Sequence, residues 1–428
     1  MNWGGSARRC ASLKRRRRES EMAKKEGSLL GGVLLISGSC IGAGMLGLPI
    51  VTGLAGFFPS LIIFFLAWLF MTFTGLLLVE AYGWFQKEVN FVSMVGQTLG
   101  TWGRIFCWIL YLFLFYSLLV AYTAGSGALV STFLQDLFPQ AFPPSYGSLF
   151  FVLLFGGIVY LGTRAVDYVN RLMMAGLIIT YAGLVLFGMR DVRPQLLFQA
   201  RLPHMLISLP ILVISFGFHN MIPSISAYLK GDLRRVRLSV IGGSFLALCV
   251  YLIWDFVVLG IVPLEGKWGL INSLKEGREA SQSLSGILGA GAVGGFAQGF
   301  AFFAILTSFI AQALALVHFW ADGLRIKEKK KETIPLCLLT LIPPLFFALL
   351  YPQIFYKALS FGGGICAVLL FGLFPALMAW RGRYLQKISS SYRVMGGKPL
   401  LLALALFALF IFFFQLMALL GVEFFPKL

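Results

Sequence analysis

The sequence predicts an all-α integral membrane protein with eleven transmembrane helices. Its 428 residues are 59% hydrophobic and only 12% charged, whereas a soluble domain is about 25% charged. The mean hydropathy is +0.86, and apolar runs long enough to cross a bilayer recur along the whole chain. Alternation of apolar and polar residues with a period of two is absent, which argues against a β-barrel.

Eleven apolar runs set the expected crossings. They cover residues 28–53, 57–85, 103–136, 147–163, 168–189, 204–229, 238–262, 284–324, 333–351, 354–380 and 399–424. The third and the eighth are longer than a bilayer requires, so we expect these two helices to tilt or to protrude from the membrane.

The net charge of +18 and the KRRRR run at residues 14–18 suggest a nucleic-acid partner. Basic residues also mark the cytoplasmic ends of membrane helices, and we prefer this second interpretation. With the N-terminus inside, the inner segments carry roughly three times as many Lys and Arg residues as the outer segments. We therefore expect a cytoplasmic N-terminus, a C-terminus on the opposite side, contact with membrane lipid and no nucleic-acid partner.

Residues 1–27 form a basic tail that we expect to be disordered and cytoplasmic. The tail has no apolar segment of its own, so it is not a signal peptide. Met22 is an alternative first residue of the protein, so residues 1–21 are a candidate extension translated from an upstream start codon.

Two spans contain sequences that oppose a continuous helix. The first contains SGSCIGAGMLGLP, residues 37–49, with four glycines where lipid requires a fully hydrogen-bonded backbone. Each glycine costs about 1 kcal/mol relative to alanine in a helix interior. The sixth contains SFGFHNMIPS, residues 215–224. Close helix packing at the GxxxG of residues 38–42 is an alternative explanation for the first.

The spacing of the two sequences favours a binding site over packing. They lie five spans apart, and an odd number of spans inverts the second unit in the membrane. Residues 28–190 and 203–380 are therefore predicted to form inverted five-helix repeats, with 399–424 as an added helix. Interrupted helices at corresponding positions of inverted halves point to a substrate site near the midplane, where free backbone groups bind the ligand.

Four motifs occur in order from about Gly27 to the C-terminus: GSLLGGVLLISGSCIGAGMLGLP, SFGFHNMIPSISAYLKGDLRRVR, LIPPLFFALLYPQIFYKALSFGG and YRVMGGKP. The chain resembles the bacterial aromatic (hydroxy/aromatic) amino-acid permeases, and among them most closely the tyrosine-specific transport proteins. The family belongs to the amino acid/polyamine/organocation superfamily. The resemblance implies a LeuT-type five-plus-five inverted repeat with discontinuous helices 1 and 6 and an extra eleventh helix.

The resemblance further implies proton-coupled import of an aromatic amino acid, most simply tyrosine, across the bacterial inner membrane, with the C-terminus in the periplasm. Two residues depart from the family pattern. Gln312 replaces a small or aliphatic residue, and His318 replaces an acid. Substrate preference and coupling therefore stay open, and tryptophan or phenylalanine transport, sodium coupling and a sensor without transport are the alternatives.

A zwitterionic aromatic substrate needs donors, acceptors and an apolar slot. We expect its carboxylate to bind the N–H groups that begin the second half-helix, where the helix dipole is positive. These belong to Gly42, Ala43 and Gly44. The Ser39 hydroxyl is a further donor, or else bonds back to the preceding turn. The ammonium group should meet the unwound carbonyls of Ser37, Gly38, Phe216 and Gly217.

The substrate ring should meet aromatic side chains and a polar tip. Tyr122, Phe216 and Phe218 are the ring candidates, with core packing as the alternative. His219 and Asn220 are the polar candidates, because polar side chains in mid-membrane are costly unless they have partners. His219 can also change charge near neutral pH or simply bond a neighbouring carbonyl.

Glu80 and Asp255 are candidate proton carriers alongside His219, because both acids fall inside apolar spans. Thr307 and Ser308 resemble the hydroxyl pair that sodium-coupled LeuT-type transporters place on their eighth helix, so they are weaker candidates for a cation site. Packing is the alternative, and the resemblance favours protons.

Other functional classes lack the residues they require. The six cysteines and three histidines are scattered, so we expect no metal site and no cofactor. HExxH, a paired nucleophile and base, and GxxxxGK[ST] are absent, which argues against an intramembrane enzyme and an ATP-driven pump. Rings of charge or repeated carbonyl filters, typical of channels, are also absent. The sequence makes no prediction of oligomeric state.

Overall fold

A computed structural model describes residues 27–85, 89–137, 143–199, 201–289, 291–324, 326, 330–389 and 391–422. The prediction of a disordered tail concerns residues that lie, apart from Gly27, outside this described part. Helices account for most of the described chain, and the prediction of an all-α membrane protein is confirmed.

The helices follow one another with short connections. The first eight are α1 (Leu29–Cys40), α2 (Ala43–Thr52), α3 (Phe57–Tyr82), α4 (Phe91–Leu137), α5 (Pro144–Tyr160), α6 (Thr163–Gly188), α7 (Leu209–Ser215) and α8 (Ile222–Tyr228). The remaining seven are α9 (Leu233–Ile261), α10 (Leu270–Glu276), α11 (Ala280–Leu288), α12 (Ala292–Leu324), α13 (Lys330–Leu350), α14 (Phe355–Leu385) and α15 (Gly397–Leu419).

Within the described ranges, nine helical segments are long and apolar enough to cross a membrane, and the bent pair α1–α2 makes a tenth. The helix α5 is apolar but has 17 residues. These elements account for the spans expected from the sequence, although the exact number of eleven stays a prediction.

The first span is broken as expected, over a shorter stretch than the sequence suggested. Only Ile41 and Gly42 leave the helical conformation, and α1 and α2 meet at 60°. Gly42 allows the break to pack tightly, because a Cβ there would lie 2.6 Å from Oγ of Ser308. The GxxxG alternative receives no support at Gly38, where the nearest atom to an added Cβ is 3.8 Å away.

The sixth span, Leu202–Tyr228, is interrupted in the middle. The helix α7 ends at Ser215, residues 216–218 are not helical, and a 3-10 turn covers His219–Met221 before α8 begins. Pro223 fits at the start of α8, because a proline in the first turn of a helix removes no hydrogen bond of the helix.

One predicted boundary was wrong. The eighth span does not begin at residue 284, because Gly289 adopts φ of +69° and separates α11 from α12. The predicted start of the third span at residue 103 agrees with the structure, because Gly100, with a non-helical φ of +86°, divides α4 into a short helix from Phe91 and the long helix that follows. Glycine reaches positive φ without steric cost, so both glycines act as bends that hydropathy does not register.

The helix α9 positions the first broken helix. It packs along α1, α2 and α3, and two glycines permit the closest approach. A Cβ on Gly243 would lie 2.4 Å from Cβ of Ile36, and one on Gly32 would lie 2.3 Å from Oγ of Ser239. These contacts align the first half of α9 with α1, and the second half of α9 reaches the end of α1, where Tyr251 contacts the carbonyl of Cys40.

Candidate functional site

The two interrupted helices meet at the hydroxyl group of Tyr251. Its oxygen lies 2.6 Å from the carbonyl oxygen of Cys40, the last residue of α1, and 2.7 Å from that of Ser215, the last residue of α7. Each carbonyl belongs to the negative end of a half-helix. Tyr251 is fully buried on α9 and was not among the residues selected from the sequence.

The start of α2 also contacts neighbouring helices. The backbone N–H of Ala43 donates to Oγ of Ser308 on α12, at 3.0 Å. A Cβ on Gly44 would lie 3.1 Å from Oγ of Ser215, whose hydroxyl is buried and has no partner among the described residues. The positive end of α2 thus lies beside the two negative helix ends, an arrangement that suits a zwitterion.

Aromatic side chains surround this meeting point. Phe216 is fully buried, and its ring packs edge-on against Tyr251 with the centroids 5.1 Å apart. Tyr122 on α4 is also buried and lies near Tyr251. The structure therefore brings these two predicted ring candidates together with Tyr251, while Phe218 turns away toward α3, where Gly75 approaches its ring.

His219 directly follows the second break, and its ring lies between two aromatic rings. Its ring stacks on Phe218 at 4.7 Å and on Phe371 at 5.0 Å. Nε2 lies 3.0 Å from Oγ1 of Thr74, whose own proton is directed at the carbonyl oxygen of Phe70. Thr74 can accept a hydrogen bond from Nε2–H while it donates to Phe70, and we take the tautomer with the imidazole proton on Nε2. Nδ1 is left as a buried acceptor with no partner in the described chain.

Several predicted ligand groups are already used within the protein. The Ser39 hydroxyl donates to the carbonyl of Ile36, and the Ser37 carbonyl accepts from the N–H of Ile41, so neither is the free group that was predicted. The Phe216 carbonyl likewise accepts from the N–H of Phe218.

The remaining predicted groups differ in exposure. Gly38 lies inside α1, in the helix rather than in the break. Asn220 is exposed in the 3-10 turn, whereas its neighbour His219 is buried. Gly217 lies inside the second break, as predicted.

Glu80 forms a buried ion pair with Arg383. Nε and Nη2 of Arg383 donate to the two carboxylate oxygens, with Nε at 2.7 Å from Oε1. The backbone N–H of Val394 also donates to Oε2, at 2.7 Å, and both charged side chains are at most 2% exposed. This pairing joins the ends of α3 and α14 to the loop before α15. The ion pair favours a structural role for Glu80, as a latch that holds these three segments together, over the predicted proton relay. The charge of Arg383 balances that of the carboxylate, and both carboxylate oxygens accept hydrogen bonds.

Asp255 differs from Glu80 because no cation lies within ion-pair distance in the described chain. The Thr52 hydroxyl lies 2.6 Å from Oδ1 of Asp255 and 2.8 Å from the carbonyl oxygen of Leu48. One hydroxyl proton cannot serve both acceptors, and a proton on Asp255 would satisfy all three groups. Oδ2 is buried without a described partner.

The two predicted cation-site hydroxyls have separate contacts. Ser308 caps α2 through Ala43, whereas Thr307 directs its hydroxyl at the carbonyl oxygens of Phe303 and Ala304 in its own helix. These contacts favour capping and packing over cation binding.

A third buried acid escaped the sequence analysis. Glu279 is 1% exposed and is the N-cap residue of α11, where it accepts hydrogen bonds from the N–H groups of Ser281 and Gln282 and from the Ser281 hydroxyl. Burial raises the pKa of Glu279 to about 7, although the three hydrogen bonds act in the opposite direction. Nothing in its charged sequence context, EGREAS, indicates burial.

Comparisons with known proteins agree with this architecture. A tyrosine-specific transport system 1 from Haemophilus influenzae is 31% identical over 374 residues, which cover 86% of this chain and 91% of that protein. A tryptophan-specific transport protein from Pseudomonas aeruginosa is 31% identical over 388 residues, covering 89% and 92%.

The fold has a solved counterpart. The crystal structure of MhsT in complex with L-phenylalanine matches with a TM-score of 0.62 at 16% identity, covering 92% of this chain and 99% of that chain. At this identity the likeness shows the fold alone, and it supports the LeuT-type architecture expected from the sequence.

The family match spans nearly the whole chain, from residue 25 to residue 415. It confirms the resemblance found in the sequence motifs, and it confirms a multi-pass membrane protein that is not an enzyme. The chain belongs to the tryptophan/tyrosine permease family.

Proposed function

We propose that this permease imports an aromatic amino acid, with tyrosine preferred, across the bacterial inner membrane by proton symport with alternating access. The observation that carries the proposal is the meeting of three half-helix ends around Tyr251, buried among aromatic rings. The names of its relatives, which include tyrosine-specific and tryptophan-specific transport proteins, support the substrate class.

The substrate would lie between the two breaks. Its carboxylate would bind at the start of α2 near Gly42 and Gly44, where the helix dipole is positive. Its ammonium would face the carbonyls of Cys40 and Ser215, which end α1 and α7. The aromatic ring would extend toward Tyr122 and Phe216.

Asp255 is the proton carrier in this proposal. It is buried, has no cation beside it in the described chain, and contacts Thr52 at the end of α2. With the N-terminus in the cytoplasm, α9 runs outward and Asp255 lies in its periplasmic half. A proton taken up there changes the charge beside α2, the second half of the first broken helix.

Uptake into proteoliposomes tests the coupling. We expect labelled tyrosine to accumulate when the interior is alkaline, with sodium present or absent, and to equilibrate without accumulation when the pH gradient is dissipated. The Asp255→Asn variant should lose accumulation and retain exchange of internal for external tyrosine, since exchange needs no net proton movement. Accumulation that requires sodium and ignores the pH gradient would instead establish the sodium-coupled alternative.

His219 is the proposed determinant of substrate preference. Its Nδ1 can accept a hydrogen bond from the tyrosine hydroxyl or the tryptophan indole N–H, whereas phenylalanine has no donor. His219→Phe keeps the ring stack and removes the acceptor. We expect the affinity for tyrosine and tryptophan to fall about tenfold while that for phenylalanine stays constant, because one neutral hydrogen bond contributes about 1 kcal/mol or slightly more. Competition by the three unlabelled amino acids measures this ranking, and an unchanged ranking would exclude the role.

A further inference from the structure

A large cavity lies apart from the meeting point of the two broken helices. Its volume is about 1150 Å³, and it is lined by α4, α5, the first turns of α12, the loop helices α10 and α11 and the loop before α14. Residues of α1, α2, α7 and α8 do not line it. We call it the lateral cavity, because the helices on either side of it present exposed apolar side chains, among them Phe133, Phe150 and Leu154.

The lining of the lateral cavity is polar at the loop end and mainly apolar farther in, where Gln298 of α12 is also a lining residue. The loop helices contribute Glu276, Arg278 and Gln282 at one end. Farther along the transmembrane helices the wall includes Ala124 and Leu129 of α4, Phe155 of α5 and Phe302 of α12. A ligand that fits has a polar head at the loop end and a long apolar part within the membrane.

Arg278 retains an unused donor at the polar end. Its Nη2 donates to the carbonyl oxygen of Lys267 and pairs with Oε2 of Glu276 at 2.9 Å, and its guanidinium stacks on Trp268. Its Nε–H is buried and has no partner among the described residues. Because that atom is shielded from the cavity, a ligand acceptor would meet the accessible remainder of the Arg278 side chain, which is 13% exposed.

The charges at this end are balanced. Arg278 and Glu276 lie side by side and carry opposite charges, so the site matches a head group that also carries both signs. An anionic ligand would meet repulsion from Glu276, and a purely apolar ligand would place no acceptor at the accessible part of Arg278. The apolar remainder of the cavity opens toward a membrane-exposed surface at Phe150 and Leu154, which are about half exposed.

We propose that the lateral cavity binds one zwitterionic phospholipid of the membrane, with its phosphate at Arg278, its ammonium group at Glu276 and an acyl chain along Phe155 and Phe302. The lipid belongs to the leaflet nearer α10 and α11. This inference does not depend on which amino acid the permease carries or on how transport is coupled.

Two glycines allow a matched test. Gly295 lines the lateral cavity, and Gly157 lies on α5 outside its lining. A Cβ at either position would meet no atom within 4 Å. Gly295→Leu therefore fills part of the cavity, while Gly157→Leu makes the same change in another exposed helix. We expect native mass spectrometry of the full-length protein with added phosphatidylethanolamine to detect one retained lipid in the wild type and in Gly157→Leu. Its occupancy should fall at least tenfold in Gly295→Leu.

Arg278→Gln tests the head-group contact. This variant should retain phosphatidylethanolamine about as poorly as Gly295→Leu, and the wild type should retain phosphatidylethanolamine better than diacylglycerol, which has no phosphate. Equal thermal stability of the two leucine variants checks that both are folded. Unchanged retention in Gly295→Leu would overturn the proposal, as would equal binding of diacylglycerol. A second bound tyrosine that Gly295→Leu alone abolishes would also overturn it, because the occupant would then be an amino acid.

Discussion

Replacing Tyr251 by phenylalanine is expected to reduce the affinity for substrate about tenfold or more without unfolding the protein. The hydroxyl oxygen lies within 2.7 Å of the last carbonyls of α1 and α7, and its single proton can bond only one of these buried acceptors at a time, so the variant removes the donor that they share in turn. Leaving a buried polar group unsatisfied costs about 1–3 kcal/mol, and 1.4 kcal/mol corresponds to a factor of ten in affinity. The ring and its contact with Phe216 stay in place, so the loss should be seen in substrate binding measured by scintillation proximity.

Tyr181→Phe is the matched control for this experiment. The Tyr181 hydroxyl also donates to a backbone carbonyl of α9, that of Val250 at 2.8 Å, but this carbonyl is outside both breaks. We expect a similar small change in thermal stability and a substrate affinity close to that of the wild type. Equal affinities of the Tyr251→Phe and Tyr181→Phe variants would contradict the view that Tyr251 organises the site.

Glu80→Gln is expected to be the most destabilising of these substitutions, at about 3–5 kcal/mol. It removes one charge of a fully buried pair and leaves the Arg383 guanidinium without compensation in a site shielded from water. It also weakens the hydrogen bond from Val394 that attaches the loop before α15. The free energy of unfolding in mixed detergent micelles measures this loss.

Two comparisons identify the cause of that loss. The double variant Glu80→Gln/Arg383→Gln should recover part of the stability, because no unpaired buried charge remains. The exposed pair formed by Asp167 and Arg171 provides the surface control, and Asp167→Asn should change the stability by less than about 1 kcal/mol. A loss at Glu80 no larger than at Asp167 would mean that the buried pair is not a latch.

The breaks in the first and sixth spans were predictable from sequence because their causes are local. Four glycines within residues 38–47, and a glycine and a proline within 215–224, disfavour a continuous helix wherever they occur. The extent of each break was overestimated. In the first span, Ser37 and Ser39 stay in α1 because the Ser37 carbonyl accepts from Ile41 and the Ser39 hydroxyl donates to Ile36. The break in this span is therefore limited to Ile41 and Gly42.

Tyr251 was missed because its partners are distant in the chain. It lies 211 residues from Cys40 and 36 from Ser215, within YLIWDFVVLG, which has the composition of any membrane span. The sequence drew attention to Glu80 as a buried acid, but its partner Arg383 lies 303 residues away. A buried acid with a cation beside it and one without look alike in sequence, so a latch and a proton carrier could not be distinguished.

The sequence by itself determined that this protein crosses a membrane repeatedly, that two helices are interrupted, and that its motifs match an aromatic amino-acid permease. These properties depend on composition and on residues close together in the sequence, so they require no tertiary contact. Only the tertiary structure decided which groups meet at the interruptions, because packing of α9 and α12 against the first broken helix selects the partners of the free backbone groups. Such contacts join residues hundreds of positions apart, and local patterns of hydropathy carry no information about them.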